Sequence, residues 1–205
     1  MAIPLLLVLL FAAFFWWHDR RGAPLTAAET EERLARLAAK RGTGENAGDH
    51  DLLGDLRSLA ADDDGRAYFM VNLIRFRKKA LYPPSLASLG DDAREADARY
   101  ARLVAPALLR RGSYPVFNSR VIGRFLTPPG AEPWDSVAIV RYRSRRDMLD
   151  MVEALQAVDA GIHKWASIEE THVFPVRPSL LVAPLPIVVG LLLVALGVLL
   201  RGLGA

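Results

Sequence analysis

The sequence of 205 residues contains no cysteine. Disulfide bonds, thiol nucleophiles and cysteine-bound metals are therefore excluded. The sequence also lacks a glycine-rich phosphate-binding loop, a nucleophile elbow and an HExxH zinc motif, which argues against the common enzyme classes that use them. Its 26 basic and 23 acidic residues give a formal net charge of only +3 at pH 7, which is too small to indicate a nucleic-acid partner.

The first of two long apolar runs lies at the N-terminus. Residues 2–17 carry no charged side chain and end in Trp16 and Trp17, which are followed by Arg20 and Arg21. Aromatic residues and arginines in this position are typical of a membrane–water interface. A cleaved signal peptide, the alternative, would have a basic start and small residues at its cleavage site. We therefore predict an uncleaved anchor over residues 1–18, of marginal length for a span.

The second apolar run, residues 180–200, is long enough to span a bilayer and ends at Arg201. Pro184 and Pro186 lie near its start. Because proline is tolerated only in the first turn of a helix, the regular helix should begin there. The sequence thus predicts a second spanning helix within residues 179–205.

Small residues recur in this second run. Ala183, Gly190 and Gly197 are seven residues apart, which would place them on one face of the helix. Such a face lets another helix approach closely. The alternative is that glycine and alanine are simply common in spanning helices.

The distribution of arginine predicts the orientation in the membrane. Arg20 and Arg21 follow the first apolar run and Arg177 precedes the second, whereas Arg201 lies beyond the second. Basic residues concentrate on the cytoplasmic side of a membrane. We predict a two-pass protein of the cell (inner) membrane, with its soluble domain on the cytoplasmic side.

A helical linker region is predicted between the first anchor and the soluble domain, over residues 19–61. Thr26 and Glu29 are spaced as a capping box at the start of a helix. Leucines on one side indicate a second short helix. The two helices and the polar, glycine-containing loop between them are predicted at residues 26–41, 51–61 and 42–49.

Residues 62–178 show alternating strand and helix patterns around one central strand, YFMVNLIRFR. This strand is apolar on both faces, which predicts a covering layer on each, and Asn72 interrupts one face. The order β-α-β-β-α-β predicts an α+β, ferredoxin-like domain with helices on one face of an antiparallel sheet. The predicted strands are residues 68–77, 114–126, 135–142 and 171–176, and the helices are residues 92–111 and 145–155.

Four stretches of this domain are similar to a known superfamily. They are MVNLIRFR at residues 70–77, Gly112 after the first long helix, WDSVAIVRYRSRRDMLDM at residues 134–151, and THVFPVRP at residues 171–178. They resemble the dimeric α/β-barrel superfamily, in particular a branch catalogued as a domain of unknown function. Its relatives include cofactor-independent monooxygenases, muconolactone isomerases and haem-binding peroxidases. The resemblance implies a homodimer of two ferredoxin-like units that close a barrel, with a pocket in each half, and it implies no catalytic set.

Strand alternation selects polar residues for such a pocket. Asn72 and Arg141, with His163 from a helix or loop, are the candidate catalytic residues of an enzyme, because they could bind and polarise a carboxylate or phenolate. The alternative is that Asn72 satisfies backbone groups and that the arginines are solvated or lie between subunits. Further candidates for the pocket are Asn118, Arg120 and Tyr100.

Two patterns of acidic residues and histidines in the sequence could indicate a metal site. The acidic triplet at residues 62–64 precedes Gly65, and aspartates before glycine are typical of a turn. His50, His163 and His172 lack the spacing, with each other or with carboxylates, that metal ligands show. We predict neither a metal nor a cofactor.

Two functions follow as hypotheses. In the first, the chain is a membrane-anchored accessory or structural subunit of a larger integral membrane complex, for example an electron-transfer or photosynthetic one, and the domain is its docking module. Two anchors with a small-residue face favour this hypothesis, because one anchor suffices to localise an enzyme. In the second, the chain is a membrane-tethered oxygenase or isomerase that acts on a hydrophobic aromatic or quinone-like molecule. The predicted partners are the bilayer and either such a complex or a second copy.

Overall fold

The structure, a computed structural model, describes residues 2–40, 51–181 and 184–203. The chain divides into two compact units. One unit combines Met1–Arg20 with Arg177–Ala205, and we call it the helix pair. The other, Arg21–Val176, contains helices and an antiparallel sheet, and we call it the α+β unit. The predicted α+β class is therefore confirmed.

The helix pair consists of α1, Ala2–Asp19, and α7, Leu185–Leu203. Helix α7 begins directly after Pro184 and has Pro186 in its first turn, as predicted from the position of the prolines. Among the described residues, α7 is the one helix that is long and apolar enough to cross a membrane, with a mean hydropathy of 2.4 over Leu185–Gly202. The apolar stretch of α1 is shorter, Ile3–Asp19.

The α+β unit contains one sheet of four strands in the spatial order β2-β3-β1-β4, with every neighbouring pair antiparallel. Along the chain, α4 lies between β1 and β2, and α5 and α6 lie between β3 and β4. The strands are β1 Tyr68–Phe76, β2 Tyr114–Arg120, β3 Ser136–Tyr142 and β4 Ile168–Val176. The helices are α2 Ala27–Lys40, α3 Leu52–Ala61, α4 Ala93–Leu109, α5 Arg145–Gln156 and α6 Gly161–Ser167, and a 3-10 segment spans Pro84–Leu89.

Strand β2 is shorter than predicted, because it ends at Arg120 and not at residue 126. Its ladder with β3 ends where Arg120 pairs with Ser136, the first residue of β3. One more hydrogen bond, from the Val121 N–H to the Asp135 carbonyl oxygen at 2.9 Å, closes the connection. Within the described residues no strand lies opposite residues 122–126, and a strand without a pairing partner is not stable by itself.

The hydrophobic core lies between one face of the sheet and the helices. Tyr68 and Met70 of β1 and Tyr142 of β3 belong to this core, and the rings of Tyr68 and Tyr142 stack at 5.5 Å. Leu34, from the region predicted as a linker, is buried in the same core, so the helices described in that region, Ala27–Lys40 and Leu52–Ala61, are part of the α+β unit. Other buried members are Leu25, Leu37, Leu56, Leu108, Met148, Leu149, Met151 and Leu155.

Side-chain caps fix where several helices begin. Thr26 Oγ1 accepts a hydrogen bond from the Glu29 N–H at 3.2 Å, as its capping-box position predicts. Asp51 and Asp92 cap α3 and α4 in the same way. After α4 the chain turns through Gly112, whose φ of 66° favours glycine. The predicted loop at residues 42–49 lies outside the described residues.

A buried polar network joins β3 to α5. The Arg143 guanidinium donates two hydrogen bonds to the Asp147 carboxylate, at 2.9 and 2.6 Å. The Ser144 hydroxyl donates to the same carboxylate at 2.6 Å and accepts from the Asp147 N–H. Ser113 completes the network by accepting from the Arg143 N–H at 3.1 Å. Because a buried ion pair is stable only when its groups are hydrogen-bonded, this network fixes the β3–α5 connection in one geometry.

Candidate functional site

The sheet face opposite the core presents apolar side chains from all four strands. The strand residues in the hydrophobic core, such as Met70 and Val140, all come from the other face. No helix residue of the described core packs against this opposite face, which we call the open face. Phe69, at one end of this face, is buried. The other apolar side chains are half-buried in the middle and exposed on the outer strands, and they are Val71, Leu73, Val137, Ile139, Phe117 and Phe174.

Polar groups at the two ends of the open face are bound within the unit. At one end, Arg141 is buried, its guanidinium donates to the Gly112 carbonyl oxygen at 3.2 Å, and it lies 5.7 Å from the centre of the Tyr114 ring. At the other end, Arg75 forms an ion pair with Glu170 directly across from it on β4. Between these ends the face is mostly apolar, and its polar members are His172, opposite Leu73, and Ser119, opposite Val137. This composition is closer to that of a protein–protein contact than to that of a reactive pocket.

Asn72 lies on the face that the helices cover, because it is two residues along β1 from Met70, a member of the hydrophobic core. Its amide nitrogen donates to two main-chain carbonyl oxygens, of Met70 at 3.1 Å and of Ala138 at 3.3 Å. The residue therefore satisfies backbone groups, which was the alternative to a catalytic role. Since Arg141 pairs with Phe69, Arg141 and Asn72 are on opposite faces of the sheet.

His163 lies in α6 and meets neither Asn72 nor Arg141. Its Nδ1 is 2.8 Å from the Tyr82 hydroxyl, and the two rings are in edge contact. Arg99 of α4 donates to the same hydroxyl at 3.4 Å. Partial burial, followed by the positive charges of Arg99 and Arg102, lowers the pKa of His163. Both effects favour the neutral imidazole, whose contact with Tyr82 joins the segment after β1 to α6.

Tyr82 and Arg99 are polar neighbours that the sequence did not reveal. Tyr82 precedes His163 by 81 residues and follows no motif that would link the two. Acidic and basic residues alternate along the part of α4 that contains Arg99, a pattern typical of a solvated helix face. Their proximity arises only when α6 packs against α4 in the folded unit.

The other polar candidates are dispersed. Asn118 and Arg120 of β2 share the face of Asn72 and are exposed. Tyr100 of α4 packs against the hydrophobic core, and burial, with a contribution from Asp97, raises its pKa to about 12. The phenol is therefore neutral at physiological pH. Among the described residues, none of these side chains is hydrogen-bonded to His163, whose partner is Tyr82.

Carboxylates of the acidic triplet, residues 62–64, accept hydrogen bonds from main-chain N–H groups. Asp63 accepts hydrogen bonds from the N–H groups of Leu25, at 2.9 Å, and of Gly65, at 3.0 Å. Gly65 has a φ of 68°, and a Cβ atom there would lie 2.3 Å from the Gly22 carbonyl oxygen, so only glycine fits. Across the described residues there is no group of three or more histidine and acidic side chains that could hold a metal. His50 lies outside those residues.

A cleft of about 460 Å³ opens between α4 and α5. Arg102 and Arg110 are exposed at it, and Arg111 donates to the main-chain oxygens of Ala107 and Asp150, both at 2.9 Å. The catalytic candidates are not among its lining residues. Arg111 therefore links the two helices, and the cleft is separate from the predicted pocket.

In the helix pair, the predicted small-residue face of α7 lies against α1. A Cβ atom at Gly190 would be 3.4 Å from the Phe11 ring, and one at Gly197 would be 3.1 Å from a Leu7 methyl group. Gly197 is closer to the C-terminal end of α7 than Gly190, whereas its neighbour Leu7 is closer to the N-terminal end of α1 than Phe11. The two helices are therefore antiparallel. The neighbour of this face is thus a helix of the same chain. Ala183 lies outside the described residues.

The predicted interface residues lie at the ends of the apolar helices. Arg20 stacks on Trp16, 4.8 Å from the centre of its ring, and Trp17 packs beside Phe14 at 5.9 Å. Arg201 is exposed in the last turn of α7. Arg21 is exposed at the start of the α+β unit.

Comparison with solved structures finds RPA0582, a protein of unknown function from Rhodopseudomonas palustris that was a structural-genomics target. Its crystal structure is 26% identical in sequence, with a TM-score of 0.53, and the match covers 62% of this chain and 92% of that one. The structure of methylated RPA0582 is also 26% identical, with a TM-score of 0.54, and the match covers 70% of this chain and all of that one. Because RPA0582 is itself described as a protein of unknown function, this similarity assigns no activity.

No family model matches this sequence. The search of curated proteins also finds no match.

Proposed function

We propose that this chain is a membrane-anchored accessory or structural subunit of a larger integral membrane complex, with the α+β unit as its docking module. The observation that carries the proposal is the open face: an apolar sheet surface whose polar ends are already paired. Nearly every such surface in a folded protein is covered, because leaving apolar side chains in water is unfavourable. A partner that packs on the open face would remove that cost.

The helix pair supports the membrane part of the proposal. Leucines point outward on both helices, and Leu9 and Leu192 are 58% and 64% exposed. In lipid the exposure of such side chains has no free-energy cost, whereas in water it would promote aggregation. The antiparallel arrangement places the ends that lead into the α+β unit, Asp19 and Leu185, on the same side. Arg20, Arg21 and Arg177 near those ends favour a cytoplasmic α+β unit.

The strand order supports a ferredoxin-like assignment. A β-α-β-β-α-β chain whose sheet order is β2-β3-β1-β4 has β3 between the parallel strands β1 and β2, which is the split β-α-β arrangement. Membership in the dimeric α/β-barrel superfamily would assign the open face to a second copy, since two such faces close a barrel. In that case a second copy, and not another subunit of the complex, would occupy the open face.

The arrangement of the polar candidates favours docking over catalysis. Asn72 is bonded to main-chain oxygens, Arg141 is on the opposite face, and His163 is bonded to Tyr82. An enzyme needs an acid or base and a binding group that meet at one reacting atom. These three residues do not meet, so a membrane-tethered oxygenase or isomerase is the less supported alternative.

The test is extraction of the full chain from its native membrane in mild detergent, followed by native gel separation and mass spectrometry. We expect stoichiometric co-migration with a large membrane complex. Phe174→Glu, on the open face, should release the α+β unit from its partner. Val173→Glu is the matched control, because Val173 is the neighbouring residue on the other face of β4 and is equally exposed, at 43%.

Two results would contradict the proposal. One is a chain that migrates as a monomer even without substitution. The other is equal behaviour of the Phe174→Glu and Val173→Glu variants, because docking would then not use the open face. A dimer of this chain with no other protein would support the barrel but contradict the larger complex.

A further inference from the structure

The cleft of about 460 Å³ between α4 and α5 has an apolar floor. Leu103 and Ala107 contribute to it from α4, and Ala154 and Leu155 contribute from α5. The two alanines carry only methyl side chains, so they leave space between the helices. Small-molecule sites are commonly clefts of about 300–1,000 Å³ with mostly apolar walls. The size and floor of this cleft are therefore those of a ligand site.

Arginines stand at both ends of the cleft along α4. Arg102 lies at the end nearer the start of the helix, and Arg110 and Arg111 lie at the other end, where α4 stops. Eight helical residues separate Arg102 from Arg110, which corresponds to about 12 Å along the helix axis. The apolar floor lies between these two positive ends.

The positive charge at the cleft is not balanced by carboxylates. In the described part of the chain, neither Arg102 nor Arg110 has a carboxylate partner, and both are exposed. The Arg111 guanidinium is fixed by two main-chain oxygens, which are neutral acceptors. An arginine that is already held in place loses less conformational entropy when it binds an anion.

The acidic side chains of α5 nearest to the cleft in sequence do not line it. Asp150 accepts a hydrogen bond from Arg33 of α2 at 2.5 Å, and Glu153 lies 3.5 Å from the same guanidinium. Asp159 is exposed beyond the end of α5. The cleft thus joins an apolar floor to arginines that this chain leaves available for an anion.

We propose that the α4–α5 cleft binds an elongated organic dianion, a dicarboxylate with an apolar middle. One carboxylate binds Arg102, the other binds Arg110 and Arg111, and the apolar middle lies on Leu103 and Leu155. Guanidinium groups are suited to this role because they bind carboxylates with two parallel hydrogen bonds. The cleft is separate from the open face, so this inference does not depend on the proposed docking.

Two features argue against a protein in the cleft. A standard protein interface uses roughly 20–30 residues on each side, whereas nine residues line this cleft. A second copy that docked here with two-fold symmetry would bring the same arginines against each other, and repulsion between like charges would oppose that contact. A small dianion meets neither objection.

The test uses the full chain in neutral detergent micelles, with ¹³C-labelled alanine methyl groups observed by NMR. Suberate, an eight-carbon dicarboxylate, is the probe. Octanoate has the same length with one carboxylate, and 1,8-octanediol has none. Ala107 and Ala154 report on the cleft, and Ala138 of β3 is the reference methyl group, because it does not line the cleft.

We expect suberate to shift the signals of Ala107 and Ala154 in a saturable way and to leave Ala138 unchanged. Suberate should bind about tenfold more tightly than octanoate, because it makes one more charge-assisted contact. Octanediol should cause no saturable shift. Arg102→Gln should remove the preference for suberate over octanoate, whereas Arg120→Gln, at an exposed arginine of β2, should keep it.

Three results would overturn the inference. The first is the absence of a saturable shift at Ala107 and Ala154 with suberate. The second is equal binding of suberate and octanoate to the unsubstituted chain, because the two charged ends would then not act together. The third is an equal effect of Arg102→Gln and Arg120→Gln, which would show attraction to the overall charge and not to the cleft.

Discussion

The two units of this protein differ in where they place polar and apolar groups. In the α+β unit, Asp147 is buried and bonded on every side, while Leu149 is only 2% exposed. In the helix pair, side chains such as Leu192 are apolar and point outward. Exposed polar groups are favourable in water, whereas exposed apolar groups are favourable in lipid. The two units therefore differ in the polarity of the side chains that they expose, and this difference is what supports the proposed membrane anchoring of the helix pair.

The units also differ in how their elements pack. The core of the α+β unit fits large side chains against each other, such as the stacked rings of Tyr68 and Tyr142. The helix pair fits aromatic and leucine side chains against Gly190 and Gly197. Without a hydrophobic driving force in lipid, helices associate by close contact, and glycine permits that contact. The difference leads to four predictions.

The largest effect is expected for Asp147→Ala. Loss of the carboxylate would leave the Arg143 guanidinium buried without its partner, at a cost of about 3–5 kcal/mol in the free energy of unfolding of the α+β unit. Urea titration read by pulse proteolysis measures this change. Lys79→Ala is the control, since Lys79 forms an exposed ion pair with Asp91 and should have no measurable effect. Equal effects of the two substitutions would mean that the Arg143–Asp147 pair is not buried in solution.

The second prediction contrasts two leucines. Leu149→Ala should lower the free energy of unfolding of the α+β unit by about 2–5 kcal/mol, because it removes buried methyl groups and leaves a cavity. Leu192→Ala should leave that quantity unchanged in the same proteolysis assay. If Leu192→Ala destabilised the α+β unit as much as Leu149→Ala does, the outward face of α7 would be buried against protein.

The third prediction concerns the contact between α1 and α7. Gly190→Leu should push α1 away, because the space beside Gly190 is filled by the Phe11 ring at 3.4 Å. Pulsed electron resonance between spin labels on cysteines introduced into the two helices would record a longer distance. Adding Phe11→Ala should restore the original distance, since it vacates the space that the leucine needs. Failure of this second substitution to restore it would show that the helices do not meet there.

The smallest effect is a pH dependence from His163. Its pKa is lowered in the folded unit, so the unfolded chain, with a histidine pKa of about 6.5, binds the proton more readily. Stability contributed by a neutral His163 is thus complete above that value and is lost as the pH falls below it. His163→Gln should flatten this part of the profile, whereas Arg102→Gln should move the NMR titration of His163 to higher pH. An unchanged titration would show that Arg102 does not act on the imidazole.

Most of the elements of the fold could be predicted because their signals are local. Capping residues such as Thr26 and Asp51, the prolines before α7, and the alternation in β1 act within a few residues of where they stand. The end of β2 could not be predicted in this way. Residues 121–126 have strand-like composition, but a strand forms only where another lies beside it, and β3 ends its pairing at Arg120.

The candidate site was harder to predict because convergence is not a local property. Alternation suggested that Asn72 and Arg141 face a common pocket, yet their pairing partners, Ala138 and Phe69, place them on opposite faces. The partner of His163 was missed for the same reason, since Tyr82 reaches it only through the packing of α6. Register and helix packing decide which side chains meet, and neither can be read from spacing.

By itself the sequence determined the α+β class, the positions of the elements and the apolar character of both ends, since composition, caps and periodicity act through near neighbours. Only the tertiary structure decided that the glycines of α7 lie against α1, that helices cover one sheet face and leave the other open, and that Ile122, Phe125 and Leu126 are left in solvent. These outcomes depend on long-range contacts, whose free energy is realised only when distant segments come together.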